Sequence, residues 1–303
     1  MRVRIGTFNV ENLFARFRFR SDFSLSQGEQ GIWTIDNTKF APFSEKHHRI
    51  TAQALGAIHA DILGLQEVEN LTTLRRFLRQ FKHFMPNGGY PYQLLIDGND
   101  PRLIDVALIS QYPFGAIRTH QFDLAPDGNP IFSRDCLEVE VRLPHGKSLT
   151  VLVNHFKSMM GDRQQTMTTR RAQATRVAEI LQERFGEDPG QAAWVVVGDL
   201  NDYLPSEGLE PLLEQPWLEN VMERLPAGDR WTHYFAGGDK YNQLDYVLVS
   251  RSLAQANPNA LPEIERRGLP QRASRFQGKR FGGVGHDNPK ASDHCPVVIE
   301  LEV

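Results

Sequence analysis

The chain has 303 residues, of which 40% are hydrophobic and 23% are charged, so it is long enough to bury a large core in one domain or in two modest ones. Its 34 Lys and Arg residues nearly balance its 37 Asp and Glu residues, and a net charge of -3 excludes a protein that attracts polyanions by a global basic field. Only two cysteines occur, Cys136 and Cys295, which do not make a disulfide framework and are typical of buried thiols in a reducing compartment.

The predicted elements mix strands and helices along the whole chain. Apolar and alternating runs predict strands at 2–10, 61–68, 92–97, 104–110, 136–143, 148–156, 192–200, 241–250 and 295–303. Apolar residues at intervals of three and four predict helices at 45–60, 71–81 and 164–185. Some strands alternate, whereas the run WVVV at 194–197 is apolar throughout, so some sheet faces meet solvent or helices and others meet a second sheet. The pattern indicates the α/β class, with two packed sheets and outer helices.

Polar side chains gather where these predicted strands end. Any one of them is typical of a turn, because Asn, Asp and Gly satisfy turn backbones. Six such strand ends together indicate a cleft along one edge of the sheets. The residues concerned are Asn9, Glu11, Glu67, Glu69, Asn154, His155, Asp199, Asn201, Asp202, Asp245, Asp293 and His294.

The chemistry of this set is rich in oxygen, holds few nitrogens and has no thiolate. Such donors suit a hard divalent cation, Mg²⁺ or Mn²⁺, which polarises a phosphoryl oxygen and stabilises a leaving oxygen. An ionised Asp within reach of water can act as a base, and a His beside an Asp is held charged and oriented. The residues therefore predict a metal-dependent reaction at a phosphate.

Seven motifs in order resemble those of the endonuclease/exonuclease/phosphatase superfamily, in its deoxyribonuclease-like, bacterial nuclease branch. They span nearly the whole chain: TFNVENLF at 7–14, LQEVEN at 65–70, DVALIS at 105–110, VNHFKS at 153–158, GDLND at 198–202, LDYVLVS at 244–250 and SDHCPV at 292–297. The resemblance implies a four-layered sandwich of two mixed β-sheets packed face to face with outer helices. We expect a single domain over residues 1–303.

The resemblance also implies a role for each matching residue. Asn9, Glu67 and Asp293 would hold the metal. Asp199 would activate water, and Asn201 would hold the phosphate or that water. Asp245 would pair with His294, which would contact the scissile phosphate, and His155 would act as electrophile or proton donor toward the leaving oxygen. Asn154, Lys157 and Arg275 are expected to bind the substrate.

Several residues allow two interpretations. Asp105 either orients His155 or is a strand-end acid satisfied by an arginine, and Asp202 either caps a turn or joins the site. Glu11 and Glu69 are expected to support the ligands from behind or to be solvated. Gly198 is expected to permit a tight turn beside the cleft.

The substrate is the least determined feature, because fold membership does not fix it. Basic segments at 15–20, 75–82, 169–176 and 266–280 are each either solvated faces or phosphate contacts, and the last carries six Lys and Arg residues without an acid. We expect a nuclease that hydrolyses DNA. The alternatives are a phosphatase or phosphodiesterase acting on an inositol phosphate or a sphingomyelin-like lipid, and a non-catalytic binding module on the same fold. No signal-like or membrane-spanning run occurs in the sequence, so a cytoplasmic monomer without a membrane partner is expected.

Overall fold

The computed structural model describes residues 1–14 and 45–303, together with the backbone of 17–19 and 40–42. The side chains of the predicted basic segment at 15–20 lie outside the described residues. In chain order the strands are β1 (Arg2–Leu13), β2 (Phe17–Phe19), β3 (Phe40–Pro42), β4 (Ile62–Val68), β5 (Tyr92–Leu95), β6 (Asp105–Ser110), β7 (Phe114–Arg118), β8 (Leu137–Arg142), β9 (Ser148–His155), β10 (Trp194–Asp199), β11 (Leu218–Asn220), β12 (His233–Phe235), β13 (Lys240–Asn242), β14 (Asp245–Ser250), β15 (Glu263–Ile264) and β16 (Val297–Glu302).

Helices connect and cover these strands. They are α1 (Glu45–Ala57), α2 (Leu71–Gln80), α3 (Arg163–Phe185), α4 (Glu210–Leu213) and α5 (Arg251–Ala256), with short 3₁₀ helices at Lys82–Phe84, Pro86–Gly88, Pro144–Gly146, Pro189–Gln191, Val221–Arg224 and Ala227–Asp229. The longest, α3, begins where the Asp162 carboxylate accepts hydrogen bonds from the backbone N–H groups of Gln164 and Gln165. It ends at Gly186, whose φ of 83° suits glycine.

Two six-stranded mixed sheets form the centre of the molecule. The first has the order β15-β16-β1-β4-β6-β5 and the second the order β11-β14-β10-β9-β8-β7. Their facing sides share one apolar layer, to which Ile5 of the first sheet and Val151 and Val195 of the second contribute. On the outer sides, Leu55 of α1 packs in a cluster with the first sheet, and Val177 of α3 packs in a cluster with the second. The four-layered α/β sandwich is therefore confirmed.

The predicted strand at 241–250 is wrong in one respect, because it is two strands. Lys240–Asn242 pairs with His233–Phe235 as a separate two-stranded ribbon, and the sheet strand starts at Asp245. Between them, the Leu244 N–H donates to the Thr232 hydroxyl and the Leu244 carbonyl accepts from the Leu200 N–H. These bonds turn the chain from the ribbon into the sheet.

The central strand β10 sets the positions of three predicted site residues. It runs parallel to β9 and antiparallel to β14, and its last residue, Asp199, is paired with His155 on one side and Asp245 on the other. The expectation of a tight turn at Gly198 is wrong, since this residue lies within the strand. A Cβ at Gly198 would fall 2.0 Å from the Asn154 carbonyl oxygen, so glycine is required by close approach of the neighbouring backbone.

Candidate active site

The Asp199 carboxylate lies at the centre of the candidate site. Its Oδ2 accepts hydrogen bonds from the side-chain amides of Asn9 at 3.1 Å and Asn201 at 3.0 Å, and its Oδ1 accepts from the Asn201 N–H at 2.9 Å. The Nε2 atoms of two histidines face the same Oδ2, at 3.5 Å for His155 and 3.7 Å for His294. Both six-stranded sheets thus contribute to one buried polar cluster at their common edge.

His294 is held by a second carboxylate. Its Nδ1 lies 2.8 Å from Oδ2 of Asp245, and the same oxygen accepts a 2.6 Å hydrogen bond from the Thr232 hydroxyl. Burial by itself would lower the pKa of His294, but the carboxylates of Asp245 and Asp199 hold it well above its usual value. The imidazole is therefore charged at neutral pH, and its ring is fixed with Nε2 toward Asp199.

His155 differs from His294 in its charge state. Burial lowers the pKa of this imidazole well below its usual value, and the nearby positive charge of Arg134 lowers it further. Its contact with Asp199 is accordingly one between a neutral ring and a carboxylate. For Asp199, burial raises the pKa to about 6, and the charge of His294 opposes that rise. The site therefore pairs one charged and one neutral histidine on a single carboxylate.

Three acidic side chains adjoin this cluster. A register shift within β4 accompanies a positive φ of 65° at Glu67, whose Oε2 accepts from the Asn12 N–H at 3.0 Å. Burial, and then the charge of Asp293, raises the pKa of Glu67, and the same two causes raise the pKa of Glu11 to about 7. Lys290 lies 2.7 Å from Glu11.

The single ammonium group of Lys290 does not balance the three carboxylates of Glu11, Glu67 and Asp293. The excess of negative charge and the oxygen donors of Glu67, Asp293 and Asn9 fit a hard divalent cation, which would offset the burial and the repulsion from Asp293 that raise the pKa of Glu67. For Asp293, burial would raise the pKa, but the adjacent His233 and the charge of Lys290 hold it below its usual range. This carboxylate is therefore ionised and available as a ligand.

The predicted substrate-binding residues do not join the cluster. Asn154 is fully buried on the face of β9 opposite His155, next to Cys136, because successive side chains of a strand point to opposite faces. Lys157 is exposed in the segment after β9. Arg275 is exposed, donates to the Gly228 carbonyl and lies over the ring of Trp231.

Other predicted acids have structural partners. Asp105 accepts from the Gly98 N–H at 2.9 Å and makes no described contact with His155. Asp202 binds two arginines, Arg163 and Arg170, at 2.6 and 3.0 Å, and also accepts from the Tyr203 N–H, so it caps the turn as part of a buried ion pair and does not join the site. Glu69 is buried, and its carboxylate accepts from the Thr73 hydroxyl.

The basic segment at 266–280 is built into the protein rather than held free over the cleft. Arg266 and Arg280 donate to backbone carbonyls of Trp231 and Ala273 among others, and Arg267 binds Glu265. In the segment at 169–176, the three arginines each bind a carboxylate, those of Asp202, Glu210 and Asp123.

Sequence reasoning missed two residues at the site. Arg134, which is 2% exposed, binds Asp100 at 3.2 Å and the Phe156 carbonyl, and its charge lowers the pKa of His155. His233 lies 3.8 Å from Asp293. The only signals for these residues were an arginine just before β8 and a histidine close before LDYVLVS, and neither had a partner that could be recognised along the chain.

A family profile described as Endonuclease/Exonuclease/phosphatase family matches residues 4–303. The chain belongs to this family. Its members are phosphoric ester hydrolases that generally depend on metal ions. No curated protein matches the sequence.

Solved structures share the fold at low sequence identity. Truncated TDP2 from Caenorhabditis elegans has a TM-score of 0.62 and 15% identity, with 100% of this chain and 98% of that chain covered. The human Nocturnin catalytic domain with bound sulfate has a TM-score of 0.63 and 16% identity, covering 99% and 94%. TDP2 from D. rerio in complex with a single-stranded DNA product has a TM-score of 0.60 and 14% identity, covering 100% and 99%.

Among the described residues, no helix combines the length and the apolar character that crossing a membrane requires.

Proposed function

We propose that this protein is a nuclease that hydrolyses DNA phosphodiester bonds with the help of Mg²⁺ or Mn²⁺, and that residues 1–303 act as one domain in a monomer. The observation that carries the proposal is the convergence of a charged and a neutral histidine on one carboxylate, since His294 and His155 both face Oδ2 of Asp199. A charged imidazole can bind an anionic phosphate, and the carboxylate beside it can accept the proton of an attacking water.

The cation would be held by Glu67, Asp293 and Asn9. When bound, it polarises a phosphoryl oxygen and stabilises the leaving oxygen. Burial, and then the negative charge of Asp293, raises the pKa of Glu67, so a positive charge between these two carboxylates would be favourable. Asn9 also donates to Asp199, which links the cation position to the base.

The remaining residues act on water and phosphate. Asp199, ionised above about pH 6, takes the proton of the attacking water, while Asn201 fixes the orientation of its carboxylate through two hydrogen bonds. His294, kept charged by Asp245, presents a positive N–H to the phosphate, where charge grows in the transition state. His155, neutral because it is buried, offers a hydrogen bond to the leaving oxygen.

The preference for DNA rests on one support, and a second observation favours a phosphate substrate in general. One relative of the same fold, TDP2 from D. rerio, was solved with a single-stranded DNA product. The site of this chain also carries the positive charge of Arg134, which is buried and close enough to affect His155. This guanidinium is paired with Asp100, so its remaining field at the site would favour any phosphate ester and does not distinguish DNA from other substrates.

The test is cleavage of supercoiled plasmid by the purified protein with Mg²⁺ or Mn²⁺, beside an EDTA control. We expect metal-dependent nicking, which His155→Ala and Asp199→Asn should reduce by about 10²–10⁴-fold because each removes a group that moves or donates a proton. His286→Ala is the matched control, since His286 is exposed and pairs only with its neighbour Asp287 among the described residues.

Each outcome has a definite meaning. Nicking by the His286 variant but not by the other two would support the assigned site. Equal nicking by all three variants would refute it. Absence of cleavage by folded wild-type protein would refute the DNA assignment, and release of phosphate or phosphocholine from inositol phosphates or sphingomyelin would then identify the alternative substrate class.

A further inference from the structure

A group of nitrogen and oxygen donors lies beside the proposed Mg²⁺ or Mn²⁺ position. His233, Asp293 and His294 each offer one ligand atom, and these three atoms lie within 4.8 Å of one another. His233 begins the ribbon strand β12 and forms a backbone bridge with His294, which places their ring centroids 4.6 Å apart. The ribbon that the sequence did not predict therefore brings a second imidazole to Asp293.

The hydrogen bonds around His294 leave one nitrogen for a ligand. Asp245 occupies Nδ1 at 2.8 Å, and Asp245 is itself held by the Thr232 hydroxyl. A histidine that binds a metal through one nitrogen usually donates its other N–H to a carboxylate in this way, because that contact fixes the tautomer and the ring. The Asp245–His294 pair would therefore hold the ring in place for a cation that displaces the proton from Nε2, the nitrogen that lies 3.7 Å from Asp199.

On His233, the ring nitrogen that faces Asp293 is Nε2, and the other nitrogen has no carboxylate partner of the kind that His294 has. Its Nδ1 is buried and has no hydrogen-bond partner among the described residues, and its Nε2 lies 3.8 Å from Oδ2 of Asp293. Metal–nitrogen bonds are about 2.0–2.1 Å long, so the three donor atoms would have to close by about one ångström around an ion. Side-chain rotation on the cleft edge supplies such a movement, since Asp293 is 36% exposed.

We propose that His233, Asp293 and His294 bind a transition-metal ion such as Zn²⁺ or Co²⁺, next to the oxygen-donor position of Glu67 and Asn9 and sharing Asp293 with it. Two imidazoles and one carboxylate suit such ions, whereas Mg²⁺ prefers oxygen ligands alone. What the second ion would do for catalysis rests on the proposed hydrolase function, but its binding does not. A bound ion would replace the proton on Nε2 of His294, so the ion-loaded protein would not present that N–H to the phosphate, and the ion itself would supply the positive charge there.

Binding of Co²⁺ to the intact protein in excess Mg²⁺ tests this site without any substrate. Mg²⁺ fills the oxygen-donor position, and visible absorption then reports Co²⁺ that gains nitrogen ligands. We expect one Co²⁺ per wild-type chain and at least about tenfold weaker binding by His233→Gln, because even loss of a supporting contact costs 10–100-fold in metal affinity. The control is His83→Gln, since His83 is exposed on the short helix Lys82–Phe84 and lies outside the donor group.

Two further measurements keep the test decisive. Circular dichroism and retained Mg²⁺ binding show whether His233→Gln is folded. Independently of any variant, the Co²⁺-loaded wild-type protein should give two paramagnetically shifted imidazole N–H signals in proton NMR, one for each ligating histidine. No such signals, no Co²⁺ binding in excess Mg²⁺, or equal affinity in His233→Gln would each overturn the proposal. Co²⁺ binding by a protein that cleaves no phosphodiester would overturn the proposed function alone.

Discussion

Asp202 offers a sharp test of how buried and exposed ion pairs differ in this protein. Its carboxylate is 1% exposed and receives four donors, the Nε atoms of Arg163 and Arg170, the Tyr203 N–H and the Ser206 hydroxyl. Replacement by Asn removes the charge and turns an N–H₂ group toward these donors. Arg170, which is 0% exposed, would be left as an uncompensated buried cation.

The expected cost follows from that burial. Removing one partner of a buried ion pair costs about 3–5 kcal/mol of unfolding free energy, whereas an exposed pair contributes about 0.2–1 kcal/mol. With an unfolding entropy of about 2.1 cal/mol/K per residue over 303 residues, a loss of about 4 kcal/mol lowers the melting temperature by about 6 °C. Glu210→Gln is the matched control, because Glu210 binds the adjacent Arg171 at 2.9 Å with both side chains more than 40% exposed.

Urea denaturation of the two variants beside wild type measures the difference. We expect a large loss for Asp202→Asn and a loss within about 1 kcal/mol for Glu210→Gln. The activity of each folded molecule should change little in both variants, since the described hydrogen bonds of the Asp202 carboxylate go to Arg163, Arg170, Tyr203 and Ser206 and to no side chain of the Asp199 cluster. A loss below about 1 kcal/mol for Asp202→Asn would refute the argument from burial.

Two other predictions follow from the central strand. Gly198→Ala should destabilise the protein, because its Cβ would fall 2.0 Å from the Asn154 carbonyl oxygen, while Gly282→Ala, which has open space, should cost far less by the same denaturation assay. In EDTA, the contribution of Asp199 to stability should fall as pH rises from about 4 through 6. Asp199 has a folded-state pKa of about 6, above its unfolded value, so this carboxyl group binds more protons in the folded protein than in the unfolded chain over that range. The unfolding free energy of Asp199→Asn should therefore rise relative to that of wild type across this pH range; a difference that does not change with pH would contradict the pKa.

The sequence predicts well those features that depend on local periodicity. The helices at 45–60, 71–81 and 164–185 match Glu45–Ala57, Leu71–Gln80 and Arg163–Phe185 to within three residues at either end, because an apolar stripe with the helical period is visible in a single segment. The other predicted strands also agree with observed strands to within three residues at either end. The exception, 241–250, failed because the apolar alternation continues across the point where the chain leaves the ribbon for the sheet.

Features that depend on contacts between residues distant along the chain were harder to predict from the sequence. The register of β9, β10 and β14 brings together His155, Asp199 and Asp245. In the sequence, only the order of the motifs indicated that these three residues are close. The period of a strand alone could have corrected the expectation for Asn154, which must face away from its neighbour His155. No local pattern could have placed Arg134 beside that histidine.

Two aspartates separated by two residues show how charge balance distinguishes a structural acid from a functional one. Asp199 and Asp202 both follow the same buried run, and both are 1% exposed. Asp202 is matched by two guanidinium groups that belong to the protein. Asp199 has a raised pKa of about 6, since burial outweighs the charge of the one positive histidine that faces it. Perturbed carboxylates of this kind concentrate at functional sites, and a divalent cation with a phosphate ester would supply the positive charge and the ligand that the donor set around Asp199 fits.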